Sequence, residues 1–349
     1  MRHRTTITSV LVSAAVVLVL VGGAPGAAAA TPSEILQQHG FAVFEWHRLS
    51  QVNAVVTDQR LSDLREDGFT TIYADISEYV EVADQRASRT QQTRLAQLNG
   101  ELERFVARAG SYDFAVQAVA GAPTWTSPSR RYQGPMTVDL VVAYNKTAAA
   151  NEQLQGVQLD IEPYVDPAWW KNVSASLKAY LSTVRTIVDR YNQARAQPDY
   201  DGLRLGVTIP FWYDGTPEVP AVAFGPDNRS APAAFHLVDM LRTYPEAYLL
   251  VMAYRNFASD DDPIVDADGS IALVRGEFEY ASGAACGIVI GQEFGPETPE
   301  KVSFWWKGRA AFRQAAEELA AAYGERTQFR GLSVNDMGSY VATPEYVPD

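Results

Sequence analysis

The sequence predicts one domain of the α/β class, a single (β/α)₈ barrel, and three observations carry the prediction. Eight short apolar or β-branched runs punctuate the chain: residues 41–46, 70–76, 114–121, 156–162, 203–212, 247–255, 287–294 and 331–337. Segments with helical spacing separate them, as parallel strands joined by crossover helices require. The first run continues as FAVFEWHRLSQ, without the Gly-rich phosphate loop that follows the first strand of a doubly wound nucleotide-binding sheet. The P-loop pattern is also absent, so eight alternating units point to a closed TIM barrel rather than an open sheet.

The chain opens on a different kind of segment. Arg2, His3 and Arg4 precede an apolar run from Ile7 to Val21; Gly22, Gly23 and Pro25 break it, and Ala28-Ala29-Ala30 offers a small-residue cleavage site before Thr31. This layout reads as a secretory signal peptide over residues 1–30, with the barrel domain over 31–349. The apolar run is short for a spanning helix, and no stop-transfer pattern follows it. The expected mature protein is therefore exported, of about 320 residues, with no membrane attachment after cleavage. No repeat, low-complexity linker or composition break divides it.

Between the strand runs the helices announce themselves individually. Leu61, Leu64 and Arg65 follow a cap at Thr57 or Asp58. Leu95, Leu98, Leu102 and Phe105 recur on one helical face. A long helix is expected from about Ala168 to Ala194, capped by Asp166 with Pro167 at its first position. Ala310 to Tyr323 reads as a last helix, ended by Gly324.

Composition narrows the partners. The formal charge is −13, and loss of Arg2 and Arg4 with the leader takes it to −15. Nucleic acid and anionic membranes need clustered Lys and Arg, so neither is an expected partner, and a neutral substrate fits better. The single cysteine, Cys286, lies in the apolar run CGIVI and reads as a buried small hydrophobe. Only His39, His47 and His236 follow the leader, with no zinc-binding spacing. The acidic run SDDDPIVDADG (259–269) lacks the alternation of a calcium loop and reads as an exposed acidic loop. No cofactor or metal is expected, and the protein is expected to be a monomer.

The chemistry of such a barrel lies at the C-terminal ends of its strands. In the fourth run, GVQLDIE, the period of two puts Gln158, Asp160 and Glu162 on one face and Val157, Leu159 and Ile161 on the other. The apolar face must pack on helices, so the polar set points into the barrel. Two adjacent inward carboxylates, Asp160 deeper and Glu162 at the rim, raise the pKa of one of the pair. A Glu held protonated near neutral pH is a general acid, and that role is expected of Glu162.

Other strand ends converge on the same rim: Asp75 above Tyr73, Tyr254 above Met252 with Arg255 and Asn256 beyond, Glu293 above Gly291, and Asn335 with Asp336. The first strand offers Glu45 and His47, or Trp46 in the opposite register. Aromatic residues follow the strands: Trp125, Tyr164, Trp212, Tyr213, Phe257 and Phe294. Sugar rings stack their C–H faces on such rings while their hydroxyls bond to acids and amides, so the set points to an oligosaccharide cleft. Trp169, Trp170, Trp305 and Trp306 lie at helix starts and read as packing or rim residues.

The segment QGVQLDIE resembles the strand-four signature of glycoside hydrolase family 18, the chitinase-like barrels, which runs roughly DGLDLDWE. The resemblance implies Glu162 as general acid, Asp160 as the residue orienting a substrate acetamido group, and Tyr254 of VMAYR as a substrate contact. Gln155, Gln158 and Arg255 stand where that family carries Asp. A second resemblance competes. IEPY is similar to the NEP segment of clan A glycosidases such as family 5, and QEFG to their strand-seven EFG. It implies Glu162 as acid/base and Glu293 as nucleophile, with Ile161 in place of the usual Asn. The sequence thus points to a glycosidase acting on a poly- or oligosaccharide. A non-catalytic carbohydrate-binding barrel is the main alternative, and a hydrolase of another secreted polymer a third.

Overall fold

The computed structural model describes residues 30–200, 202–259 and 268–347. The expected signal peptide lies outside them except for Ala30, as does most of the acidic run 259–269. Eight parallel strands close into a barrel: β1 (Phe41–Glu45), β2 (Phe69–Asp75), β3 (Ala115–Ala120), β4 (Gly156–Leu159), β5 (Arg204–Pro210), β6 (Ala247–Met252), β7 (Gly287–Glu293) and β8 (Phe329–Asn335). Each pairs with its neighbours in chain order, and β1 pairs with β8 to complete the ring. All eight expected runs are strands. A two-stranded ribbon, 222–224 with 229–231, is an addition the sequence did not announce, each arm being only three residues long.

The strands separate two apolar regions. Val157 and Leu159 of β4 belong to the large core between barrel and helices. A smaller cluster fills the barrel itself: Ala42, Phe44, Tyr73, Val119, Tyr248, Leu250, Met252 and Val289. The inward polar groups are satisfied mostly by one another, as burial demands. The Tyr248 hydroxyl donates to Gln117 Oε1 at 2.9 Å, and Gln158 Nε2 donates to Thr208 Oγ1 at 2.7 Å. Gly206 makes room for Gln158, whose Oε1 would lie 1.7 Å from a Cβ at that position.

Two strands end three residues earlier than expected, and both endings bear on the site. The run 156–162 stays in the ladder only to Leu159, and 247–255 only to Met252. Beyond Leu159 the backbone N–H of Asp160 still donates to the carbonyl of Ala120 at 3.1 Å. Gly121 permits this close approach, because a Cβ there would lie 1.9 Å from the Asp160 carbonyl oxygen.

Thr57 caps the helix Asp58–Glu66, accepting the N–H of Arg60 at 3.3 Å. Arg89–Gly110 buries Leu98, Leu102 and Phe105, and Arg309–Tyr323 ends at Gly324. The long helix differs from expectation. It runs Val173–Arg195 with Asn172 as its cap, while Asp166 and Pro167 belong to a preceding turn. A separate 3₁₀ turn, Trp169–Lys171, comes between them. No helix among the described residues is long and apolar enough to cross a membrane.

Candidate active site

The strand alternation that buries Gln158 carries Asp160 inward beside Thr208, whose hydroxyl bonds to it. Burial, then the charges of Glu162 and Asp75, push the Asp160 carboxyl up to about 7. The sequence anticipates a raised carboxyl in this pair, and the deeper member, Asp160, is one. Glu162 sits where the chain leaves the strand, and the hydroxyl of Tyr164 donates to its Oε1. Burial and the adjoining Glu162 charge push the ionisation of that phenol far upward, so it stays a donor.

Glu293 ends β7 and is 5% exposed. Its Oε1 accepts the backbone N–H groups of Phe294 at 2.8 Å and Gly295 at 2.5 Å. Its Oε2 accepts Nδ2 of Asn335 at 2.7 Å, and Oδ1 of Asn335 accepts Nε1 of Trp46 at 2.7 Å. Burial outweighs these bonds and pushes the carboxyl up to about 7. Gly291 leaves no void beneath it: a Cβ there would meet Leu250 and the carbonyl of Val251 at 3.0 and 3.1 Å. The glycine serves close packing of β7 on β6.

Glu162, Glu293, Tyr164, Trp212, Tyr254 and Arg255 line one cleft of about 330 Å³, together with Phe211, Met252 and Glu297. Burial, then the charges of Glu293, Asp160 and Glu162, raise the ionisation of Tyr254 well above that of a free phenol. A larger depression of about 390 Å³ opens at the other end of the barrel, among Gly40, Thr70, Arg204, Glu246 and Arg330. It faces the N-terminal ends of the strands and holds no such pair of strand-end acids, so the smaller cleft is the candidate site.

The remaining expected residues divide between the cleft and its supports. Arg255 lines the cleft but is engaged: its Nη2 is 2.6 Å from Oδ1 of Asp268, which Lys301 also holds, and its guanidinium lies over Phe211 at 5.3 Å. Asp75 points inward and accepts the N–H of Ser77 at 2.8 Å. Burial raises its pKa. In β1 the second register holds: Trp46 stacks on Phe44 at 5.0 Å and reaches Asn335, while Glu45 turns outward and bonds to its neighbour His47. Asp336 caps the helix Met337–Ala342, and Asn256 fastens the carbonyls of Glu300 and Ser303.

Three aromatic residues are not where a strand-end reading puts them. Trp125 is buried beside the helix Val173–Arg195, away from the cleft. Tyr213 is buried among Trp169, Tyr180 and Trp212. Phe294 likewise packs with Phe304 and Phe312 in the core. Conversely, Phe211, Glu297 and Asp268 were not foreseen at the cleft or its supports: Phe211 lies at the end of the expected run 203–212, Glu297 in a connection and Asp268 in the acidic run 259–269. The turn Phe211–Asp214 is backed by the helix Arg275–Tyr280, where Glu277 is fully buried with neither carboxyl oxygen hydrogen-bonded. Burial, then the nearby Asp214, push its pKa well above the carboxylate range. Among the described residues no group of three or more His, Cys, Asp or Glu is arranged to hold a metal ion.

No family model and no curated protein matches the chain. Solved structures match its fold. A glycoside hydrolase family 5 enzyme from Prevotella bryantii B14 aligns over 91% of this chain and 95% of its own, at 10% identity and a TM-score of 0.51. The β-mannanase of the blue mussel Mytilus edulis aligns over 86% of this chain and 87% of its own, at 11% identity and a TM-score of 0.50. A family 18 chitinase from Cycas revoluta aligns over 87% of this chain and 96% of its own, at 11% identity and a TM-score of 0.47. The chain spans about half, 51%, of the longer exo-β-1,4-mannosidase from Opitutaceae bacterium strain TAV5. At these identities the likeness is one of fold, and it is the barrel described above.

Proposed function

We propose that this protein is an exported glycoside hydrolase that cleaves a neutral poly- or oligosaccharide with Glu162 as acid/base and Glu293 as its partner carboxylate. One observation carries the reading: two carboxylates from the C-terminal ends of β4 and β7 line a single cleft flanked by Trp212 and Tyr164. Fold alone does not determine activity. The support is the pairing of these side chains, together with the leader-like first thirty residues.

In the first step Glu293 attacks the anomeric carbon as the bond to the leaving oxygen breaks and Glu162 passes its proton to that oxygen. In the second, water attacks the same carbon, Glu162 takes the water's proton, and the carboxylate of Glu293 leaves. This retaining chemistry needs the two carboxyl groups about 5–5.5 Å apart; an inverting enzyme needs about 6.5–9.5 Å. The anomer first released, read by NMR, separates the two. Asn335 and the N–H groups of Phe294 and Gly295 fix the orientation of Glu293. Tyr254 lines the cleft and Asp160 lies buried below Glu162, where the two would help to position the reacting ring.

The experiment is a panel of neutral polysaccharides, mannan and chitin included, offered to the protein without residues 1–30. Release of reducing ends supports the proposal. Binding without release at every pH tried would leave a carbohydrate-binding barrel in its place.

A further inference from the structure

Trp170 has no part in the reaction above, yet it is the most conspicuous aromatic residue near it. It is 52% exposed, while its neighbour Trp169 is buried. Its ring is nevertheless held, because Nε1 donates to the carbonyl of Tyr164 at 3.0 Å. Tyr164 in turn gives its hydroxyl to Glu162 and packs against Trp212, ring centroids 4.8 Å apart. Trp212 and Trp170 follow one another with centroids 6.3 Å apart and planes tilted by 40°. Val165, on the same connection, is 57% exposed. A strip of aromatic faces therefore leads from Glu162 past Trp212 and out to Trp170.

We propose that Trp170 is an outer subsite for a neutral oligosaccharide chain, so that the ligand is several sugars long and lies along Tyr164, Trp212 and Trp170. The spacing of the last two rings is comparable with the length of one sugar unit in a chain. The chemistry selects the occupant. The strip runs continuously into a cleft lined by Glu162, Glu293 and Glu297. An apolar partner would desolvate those acids without pairing them, and a phosphate-bearing polymer would be repelled by them. A glycan meets both surfaces, with C–H faces for the rings and hydroxyl donors for the carboxylates. The inference rests on the glycosidase reading for the position of the scissile bond, but not for binding itself.

The test uses the chain without residues 1–30 carrying Glu162→Gln to stop turnover, titrated calorimetrically with disaccharides and hexasaccharides of the manno-, cello- and chito- series. For the series that binds, the hexasaccharide should bind at least about tenfold tighter than the disaccharide, or about 1.4 kcal/mol. Trp170→Ala should remove most of that increment. Trp170→Phe, which keeps a ring face and loses the N–H, should retain it. An increment that survives Trp170→Ala overturns the subsite, as does equal loss in both variants, which would make Trp170 a mere anchor for the Tyr164 carbonyl. Failure of all three series to bind overturns it as well. If the Trp170-dependent increment stands while the chain with Glu162 intact releases no product from any polysaccharide, the subsite stands and the glycosidase reading falls.

Discussion

Asn335 and Glu293 end adjacent strands, and the side-chain amide of one lies 2.7 Å from Oε2 of the other. The same amide accepts from Trp46, which fixes which end faces the acid. Asn335 thus stabilises the charged form of a carboxyl that burial would otherwise neutralise.

Asn335→Ala should move the acid limb of the pH–activity profile upward. The donor lowers the pKa of Glu293, so its removal raises it above the present value of about 7. A hydrogen bond to a charged group contributes about 1.5–3 kcal/mol, which corresponds to one pH unit or more. The profile of kcat/KM from pH 4 to 10 is the measurement. An unmoved acid limb would take Glu293 out of the proposed chemistry.

Glu162→Gln should lower turnover by about 10²–10⁴-fold, the usual contribution of a positioned general acid. The substitution is close to isosteric and leaves the Tyr164 hydroxyl an acceptor, so the melting temperature should change little. Activity within a few-fold of the parent would assign proton transfer elsewhere.

Asp160 makes the protein's stability depend on pH. Its carboxyl titrates near 7 when folded and near 3.8 when free. Between those values the unfolded chain has released a proton that the folded chain still holds, so stability falls as pH rises through this window. Asp160→Asn should flatten that fall and leave the variant more stable than its parent at pH 8, by on the order of 2 kcal/mol. Denaturant midpoints at pH 4.5 and pH 8 are the comparison. A variant that is less stable at pH 8 would contradict this account.

Glu277 should tolerate loss of its acid better than loss of its volume. Its oxygens have no hydrogen-bond partner and burial raises its pKa, so the folded state disfavours its charged form. Glu277→Gln should therefore be neutral or stabilising at alkaline pH, whereas Glu277→Ala opens a cavity and should cost about 2–4 kcal/mol. Calorimetric melting of both variants at pH 8 tests this; a Gln variant as damaged as the Ala variant would show that the acid is needed.

The barrel was legible because a parallel sheet covered on both faces writes its strands as contiguous apolar runs. Asp160, Glu162 and Glu293 interrupt such runs at their C-terminal ends, and the structure brings them to one mouth. The turns beyond were harder. Trp212 and Tyr213 are neighbours in a 3₁₀ turn, where successive side chains diverge by about 120°. One faces the cleft and the other the core. Trp125, in the turn Pro123–Thr126, faces the core for the same reason. Nor could the sequence tell which of Asp160 and Glu162 lies in the drier place, since that depends on Thr208 and on where the strand leaves the ladder.

The pairing of β1 with β8 also has a consequence in time. Trp46 and the Asn335 it donates to are 289 positions apart, near opposite ends of the barrel sequence. During synthesis β1 emerges first and waits with one edge unpaired, a template for mispairing, until the last strand arrives. Glu162 is made long before that point. Glu293 receives the Asn335 bond only when the ring closes. A nascent or truncated chain that stops short of residue 335 would carry the acid of the proposed reaction without the finished seat for its partner.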